Sequence, residues 1–313
     1  MKVLVVSNVT ASRASRHLEA LRALLPETEH VRHHVTRSGP ELDPLLGHDR
    51  WAPDDLLVIN GGDGSVQHAL TLLLARCPIE RLPRVACLPG GTTNMTAYDV
   101  NDHRRFRDCL TALGAAVNGS AGNGGPVAPR PLVRVAPEDG AGAAVCGLFF
   151  GMGTIVQGIE YFHARIRHGG GAHELGAGVA LARTIWGMAR GEPPFAEPAR
   201  VRVDGEDWSV RLLLVTTLDR LLLGLRPYWG QGGGALKATA VEARAAGFLR
   251  RLPRLLRGRP HATMTPEAGW HSAGSDGLTL AFDGPYTLDG ELFRSSGATM
   301  RVSASPAIRF VPL

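Results

Sequence analysis

Two glycine-rich stretches hold the residues best suited to chemistry. The first is Val58-Ile59-Asn60-Gly61-Gly62-Asp63-Gly64-Ser65-Val66-Gln67, and the second is Leu88-Pro89-Gly90-Gly91-Thr92-Thr93-Asn94. A glycine lets a phosphate approach the main chain closely and reaches left-handed conformations without strain. Where such a turn runs into a helix, the free amides of the first turn bind negative charge. A carboxylate among them, Asp63, is odd for anion binding alone. It makes sense where Mg2+ or a proton is handled beside phosphates. Thr92 and Thr93 offer hydroxyls and Asn94 an amide, suited to phosphate or ribose. An ordinary strand-to-helix turn also accounts for the first stretch, and a helix cap at Thr93 or Asn94 for the second.

A third stretch is Leu288-Asp289-Gly290-Glu291. An alcohol is a poor nucleophile at neutral pH, and a carboxylate in hydrogen-bond reach can accept its proton. Asp-Gly is equally a common hairpin turn. Asp204-Gly205-Glu206 has the same letters and reads as a plain turn.

The elements that would position these residues follow from periodicity. Apolar strands are expected over 2–7, 30–35, 55–60 and 84–88, with helices over 13–25 and 66–76 between them. This alternation implies an α/β, Rossmann-like domain with a parallel sheet over about 1–125. Its two glycine turns would then share the carboxyl edge of one sheet. Residues 118–129, rich in Gly, Ala, Asn and Pro, read as a linker. Beyond it, strands are expected over 131–136, 144–150, 200–203, 208–216, 278–282 and 299–303, with helices over 155–167, 174–190 and 240–257. This is a β-rich domain over about 128–296, with a sandwich as its expected form. The last strand, near 305–313, is expected to return to the first domain.

These motifs resemble a known family. Gly61 to Ser65 is similar to the Gly-Gly-Asp-Gly-Thr/Ser signature of lipid kinases and NAD kinases. Gly91-Thr92-Thr93-Asn94 resembles the second signature of the diacylglycerol-kinase catalytic domain, and Asp289-Gly290-Glu291 its late Asp-Gly-Glu. The order and rough spacing agree. The resemblance implies an ATP- and Mg2+-dependent lipid kinase. Gly61, Gly62, Asp63, Gly64, Ser65, Val66, Gln67 and Thr92 would contact ATP, assisted by Asn8 and Thr36, with Gly91, Thr93 and Asn94 in the same turn. Asp63 would neighbour the catalytic Mg2+. Glu291, with Asp289, is implied as the general base across an interdomain cleft; in the sphingosine-kinase branch the base is the residue at Asp63. Diacylglycerol is the default substrate, with a sphingoid base or ceramide as the alternative. The second signature favours the lipid branch over NAD kinase. Retention of Asp63, Asp289 and Glu291 argues against a catalytically silent binding module. Leu148, Phe149, Phe150, Met152 and Ile155 are candidates either for the wall of a lipid pocket or for core packing. The chain departs from the family pattern at Gly230 to Ala235, where many members carry an aspartate that helps hold a structural Mg2+. It also has Met95 and His68 where Asp and Glu are frequent.

Composition narrows the partners. The net charge of +5 suits an acidic partner: nucleotide, nucleic acid or anionic membrane. Aromatics are only 6% and do not interleave with the basic residues, which argues against nucleic acid. The run Phe248-Leu249-Arg250-Arg251-Leu252-Pro253-Arg254-Leu255-Leu256-Arg257 reads as a basic amphipathic helix. It would either dip leucines into a bilayer or pack them on the β-domain, with Pro253 as a kink. The start of the chain has no secretory pattern, and no stretch reaches ~18 apolar residues. A cytoplasmic protein, peripheral at the inner membrane face, is the expectation. Cys77, Cys87, Cys109 and Cys146 form no CxxC pair and read as buried free thiols. His30, His33 and His34 read as a solvated strand edge rather than a metal site. Neither Gly-x-Ser-x-Gly nor HExxH occurs, which leaves hydrolase and zincin readings without support.

Overall fold

The computed structural model describes all residues except 26–27, 48–50, 103, 119–127, 169–182, 188–189, 194 and 196. It divides into two compact units, Met1–Leu132 with Pro306–Leu313, and Val133–Ser305.

The first unit contains β1 (Val3–Asn8), α1 (Ala14–Leu24), β2 (Val31–Thr36), α2 (Leu42–Gly47), β3 (Leu56–Gly61), α3 (Asp63–Arg76), β4 (Arg84–Pro89), α4 (Met95–Val100), α5 (Phe106–Val117) and β5 (Ala128–Arg130). The C-terminal Ile308–Phe310, here β15, completes its sheet, in the order β2-β1-β3-β4-β15-β5. All neighbours are parallel except β15 and β5. The apolar strands β1, β3 and β4 are buried along most of their length, as a sheet covered on both faces requires. Val3, Val5, Leu56, Val58, Ala86 and Leu88 pack with Leu21 of α1 and Leu113 of α5 in one core. This is the α/β fold expected from the strand and helix periodicities.

β2 and β3 lie on opposite sides of β1, so the strand order reverses there and leaves a crevice at the carboxyl ends of β1 and β3. Register sets Asn8 beside Thr36, Ser7 beside Asn60 and Gly61 beside Pro89. Fully buried Asn60 ties α1 to this edge. Its Nδ2 donates to Ser7 Oγ at 2.9 Å and to the Ala14 carbonyl at 3.2 Å, and its Oδ1 meets His17 Nδ1 at 2.9 Å. His17 in turn stacks on Phe106 of α5, ring centroids 3.5 Å apart.

The second unit contains β6 (Val133–Pro137), β7 (Val145–Gly147), β8 (Phe149–Gly153), α6 (Thr154–His168), β9 (Ala199–Val203), β10 (Glu206–Thr216), β11 (Leu236–Glu242), α7 (Phe248–Leu256), β12 (Trp270–Ser275), β13 (Gly277–Leu288) and β14 (Glu291–Ala304). The β-rich character expected here is what the structure has. Its nine described strands hydrogen-bond as one continuous antiparallel sheet in the order β12-β11-β10-β8-β13-β14-β6-β7, with β9 beside β10 and β13. β9 continues the line of β8 between β10 and β13. Phe150, Met152, Val201, Leu213, Val215, Leu280, Tyr286 and Leu288 share its core.

Several elements differ from the periodicity reading. The helix expected over 240–257 begins only at Phe248, after Gly247 at φ 65°. Residues 236–242 pair on both sides, with β10 and β12, and this pairing outweighs any local helical preference. The helix runs through exposed Pro253 and ends three residues later. Its Phe248, Leu252 and Leu255 are buried, so these side chains pack inward rather than into a bilayer. The strand expected over 144–150 splits at Leu148, whose amide turns to the Asp289 carboxylate. Most of the expected linker and of helix 174–190 lies outside the described residues. None of the four cysteines forms a disulfide, and Cys77 is only half-buried. Burial pushes the Cys109 and Cys146 thiols up to about 11 and that of Cys87 further, which keeps them protonated.

Two histidines make stability pH-dependent. Burial lowers the proton affinity of His17, with Arg13 and Arg16 adding to it against the Asn60 hydrogen bond. Burial likewise lowers that of His33, beside Arg22 and His34. Both are therefore neutral in the folded chain at pH values where an unfolded histidine, at 6.5, takes a proton. Their contribution is complete above pH 6.5 and is lost as pH falls through the lower folded-state values. The thermal unfolding midpoint should drop between about pH 7.5 and about pH 5.5, and drop less in His17→Gln.

Candidate active site

The crevice at the ends of β1, β3 and β4 is built from main chain. α3 starts at Asp63 with Gly62 as its cap and no side chain closing its first amides. Gly61 has no room for a Cβ, which would lie 2.6 Å from that of Ser65. A Cβ on Gly91 would collide with Gly62 Cα, so the two glycine turns meet backbone to backbone. Gly90 bridges three segments. Its amide donates to the Gly61 carbonyl at 3.1 Å, and its carbonyl accepts the Arg13 and Ala14 amides at the start of α1.

Asp63 staples the turns together. Its buried carboxylate accepts hydrogen bonds from Thr93 Oγ1 at 2.6 Å and from the amides of Met95 and Thr96, each at 3.0 Å. Asn94 closes the second turn from within. It adopts left-handed φ 49°, accepts the Gly91 amide at 2.6 Å and donates to the Gly91 carbonyl at 2.8 Å. Asn8 reaches across the crevice and donates to Ser65 Oγ at 2.9 Å. Thr92 Oγ1 meets Ser12 Oγ at 3.2 Å. Thr36 is buried beside Asn8, its hydroxyl without a hydrogen-bond partner. Gln67 is buried on α3 with its amide on Thr71, and Val66 is buried with its own amide on the Gly62 carbonyl. The structure thus brings together Asn8, Gly61 to Ser65 and Gly91 to Asn94. Ser7, Ser12 and Asn60 belong to the same constellation, with Asn60 inside the first glycine-rich stretch. Ser7 and Asn60 are polar residues inside otherwise apolar β1 and β3, a signal visible in the sequence, whereas Ser12, between β1 and α1, carries none.

The surroundings of Asp63 supply no all-protein cage for Mg2+. Three donors already occupy the carboxylate, and among the described residues no three His, Cys, Asp or Glu side chains converge on a metal position. In the second unit, Asp276 accepts the Ala235 amide at 3.1 Å behind the Gly230 to Ala235 loop.

Asp289 and Glu291, also in the second unit, form the tip of the β13–β14 hairpin. Asp289 and Gly290 have φ 51° and 89°, the signature of a type I′ turn. The Asp289 carboxylate is buried and accepts the amides of Leu148 and Phe149 at 2.8–3.0 Å, while its own amide donates to the Phe149 carbonyl. Asp204-Gly205 makes the same turn, with φ 48° and 92°. There Asp204 accepts the Thr279 amide and donates to the Thr279 carbonyl. The two aspartates do the same structural work. Glu291 is exposed. Leu148, Phe149, Phe150 and Met152 are buried, and Phe150 and Met152 belong to the core of the unit.

Residues 2–122 match the family described as the diacylglycerol kinase catalytic domain. That segment is similar to the diacylglycerol kinase catalytic domain. Solved structures agree in fold. A diacylglycerol kinase from Bacillus anthracis str. Sterne superposes with TM-score 0.64 at 15% identity, covering 100% of this chain and 97% of that one. Two further solved structures from that organism, given the same enzyme name provisionally, reach 0.63 and 0.64 at 15% identity, each over 100% of this chain and 96% and 97% of their own. A comparison with curated proteins finds no match. The matched segment includes both glycine turns and Asp63.

Within the matched segment, Asp63→Asn leaves one accepting oxygen where two now serve three donors. It should lower stability by about 1–3 kcal/mol. Thermal unfolding checks the loss, and faster hydrogen exchange at the Met95 and Thr96 amides checks its location.

Proposed function

We propose that this chain is an ATP-dependent lipid kinase that transfers the γ-phosphoryl group to a hydroxyl of a diacylglycerol-type lipid. The observation that carries the reading is the backbone contact of two glycine turns at a strand-order reversal, inside a segment that matches the kinase family. The triphosphate lies against Gly61 to Ser65 and Gly91 to Thr93. The uncapped amides at Asp63 and Gly64 and the hydroxyls of Ser65 and Thr92 hold its oxygens. Asn8 sets the Ser65 hydroxyl. Phosphoryl transfer asks mostly for positioning and charge neutralisation, which a rigid amide-lined turn supplies. Mg2+ accompanies ATP as part of the substrate, and no step here depends on a metal ligand from the protein.

Glu291 acts as the general base. It takes the proton of the lipid hydroxyl as that oxygen attacks the γ-phosphorus and the bond to the β-phosphate oxygen breaks, releasing ADP. Asp289 holds the hairpin in place, since its carboxylate is occupied by the Leu148 and Phe149 amides. Asp63 is likewise a positioning residue. A substrate with two acyl chains sits in a bilayer. Among the described residues no helix is long and apolar enough to cross one. The protein works as a peripheral enzyme at the cytoplasmic membrane surface.

Glu291→Gln should reduce kcat by about 10²–10⁴ while leaving the KM for ATP near its original value. Glu206→Gln, at the matching position of the other Asp-Gly-Glu turn, should change neither. The assay is ADP release in mixed micelles over a panel of diacylglycerol, sphingoid base, ceramide and, as a soluble control, NAD. Turnover with NAD and with no lipid would sink the lipid-kinase reading.

A further inference from the structure

In the second unit, residues 221–225 form a tight loop between β10 and β11. Its neck is closed by the Leu221 amide on the Leu225 carbonyl at 2.8 Å, and its turn by the Gly224 amide on the Leu221 carbonyl at 2.9 Å. At its tip Leu223 is 68% exposed, more than any other large apolar residue described. It also has φ 58° and ψ 22°, a left-handed conformation that L-residues other than glycine rarely adopt. Leu222 and Leu225 beside it are partly exposed. Neither local backbone preference nor packing explains a leucine here, because a glycine or asparagine would relieve the strain and bury nothing less.

The loop adjoins the end of α7. The Arg226 amide donates to the Leu256 carbonyl at 3.0 Å, and Gly258 leaves no space between its Cα and the Arg226 and Tyr228 carbonyls. The segment from Phe248 to Arg259 carries five arginines and no acidic residue. With Phe248, Leu252 and Leu255 turned inward, Arg250, Arg254, Arg257 and Arg259 are exposed. No described carboxylate pairs with any of these four or with exposed Arg226. Asp219, just before the loop in sequence, is engaged by Lys237. An apolar tip thus adjoins an unneutralised arginine face, the two tied by the main-chain contacts of Arg226 and Gly258.

We infer that the loop 221–225 and the exposed arginines of α7 form a docking surface for an anionic lipid bilayer. Leu223 enters the headgroup boundary, and Arg226, Arg254, Arg257 and Arg259 meet lipid phosphates. An interfacial anchor combines buried apolar area with attraction to acidic headgroups, and each feature is present here. The lipid-kinase reading gives this surface its purpose, but docking is measured without catalysis.

The test is co-sedimentation of the full chain with phosphatidylcholine vesicles, with and without phosphatidylglycerol. Binding should require the anionic lipid and weaken as salt shortens the screening length from about 10 Å at 0.1 M to about 3 Å at 1 M. Leu223→Gly should keep or raise the thermal midpoint while weakening vesicle binding about ten-fold. Arg254→Glu with Arg259→Glu should lower it at least about twenty-fold, at about five-fold per arginine removed. Activity of both variants on a short-chain substrate in detergent should match the parent. Equal binding to neutral vesicles, unchanged binding of Leu223→Gly, or binding to heparin in place of anionic vesicles would overturn the docking surface. Vesicle binding that follows the expected pattern, with no turnover on any lipid, would uphold it and sink the kinase reading instead.

Discussion

Gly62 and Gly91 sit so close that a methyl group on Gly91 would overlap the Gly62 main chain. Everything at the crevice depends on that approach. It brings the turn after β3 against the turn after β4, with no side chain between them, and leaves main-chain amides as the lining. Two such turns do not stay together by themselves, because glycine is flexible and each turn loses entropy on ordering. The Asp63 carboxylate supplies the restraint through three hydrogen bonds to Thr93, Met95 and Thr96. Gly90 adds a second restraint, because its carbonyl collects the amides that open α1. These bonds hold the crevice without help from any ligand, and preorganised amide dipoles of this kind stabilise developing charge most effectively.

The same constraint explains what could be read from the linear chain and what could not. The α/β unit was legible because β1, β3 and β4 are unbroken apolar runs and the glycines sit at their ends. The elements called by spacing alone fared less well when a strand was paired on both sides. Residues 236–242 are the example: their register with β10 and β12 decides their conformation, and neither neighbour is close in sequence. The split at Leu148 is of the same kind, since it follows from an aspartate at position 289. Within the site, the glycine turns were legible as turns. The partners of Asp63 lie 30 or more residues away, so its work as a staple was not. Ser7 and Asn60 were visible as polar residues in buried strands, but their joint hold on α1 appears only through the register that pairs them.

Three aspartates in glycine contexts show how position divides roles. Asp63, Asp204 and Asp289 each follow or precede a glycine, and each accepts main-chain amides of a segment distant in sequence. In each case the acid is short, and its carboxylate lies near its own backbone, where it can orient a turn. Taking up a proton there would break a hydrogen bond that holds the fold. A base needs the opposite arrangement: an acid on a longer stem, fixed at its Cα and free at its oxygens. Glu291 meets that description. It is the first residue of β14, and its main-chain carbonyl is held by Thr287 Oγ1 at 2.9 Å while its side chain is exposed. The type I′ turn before it, with two residues at positive φ, sets its direction. In Asp289-Gly290-Glu291 the aspartate and glycine make the hairpin, and the glutamate carboxylate is left exposed, as the role proposed for it requires.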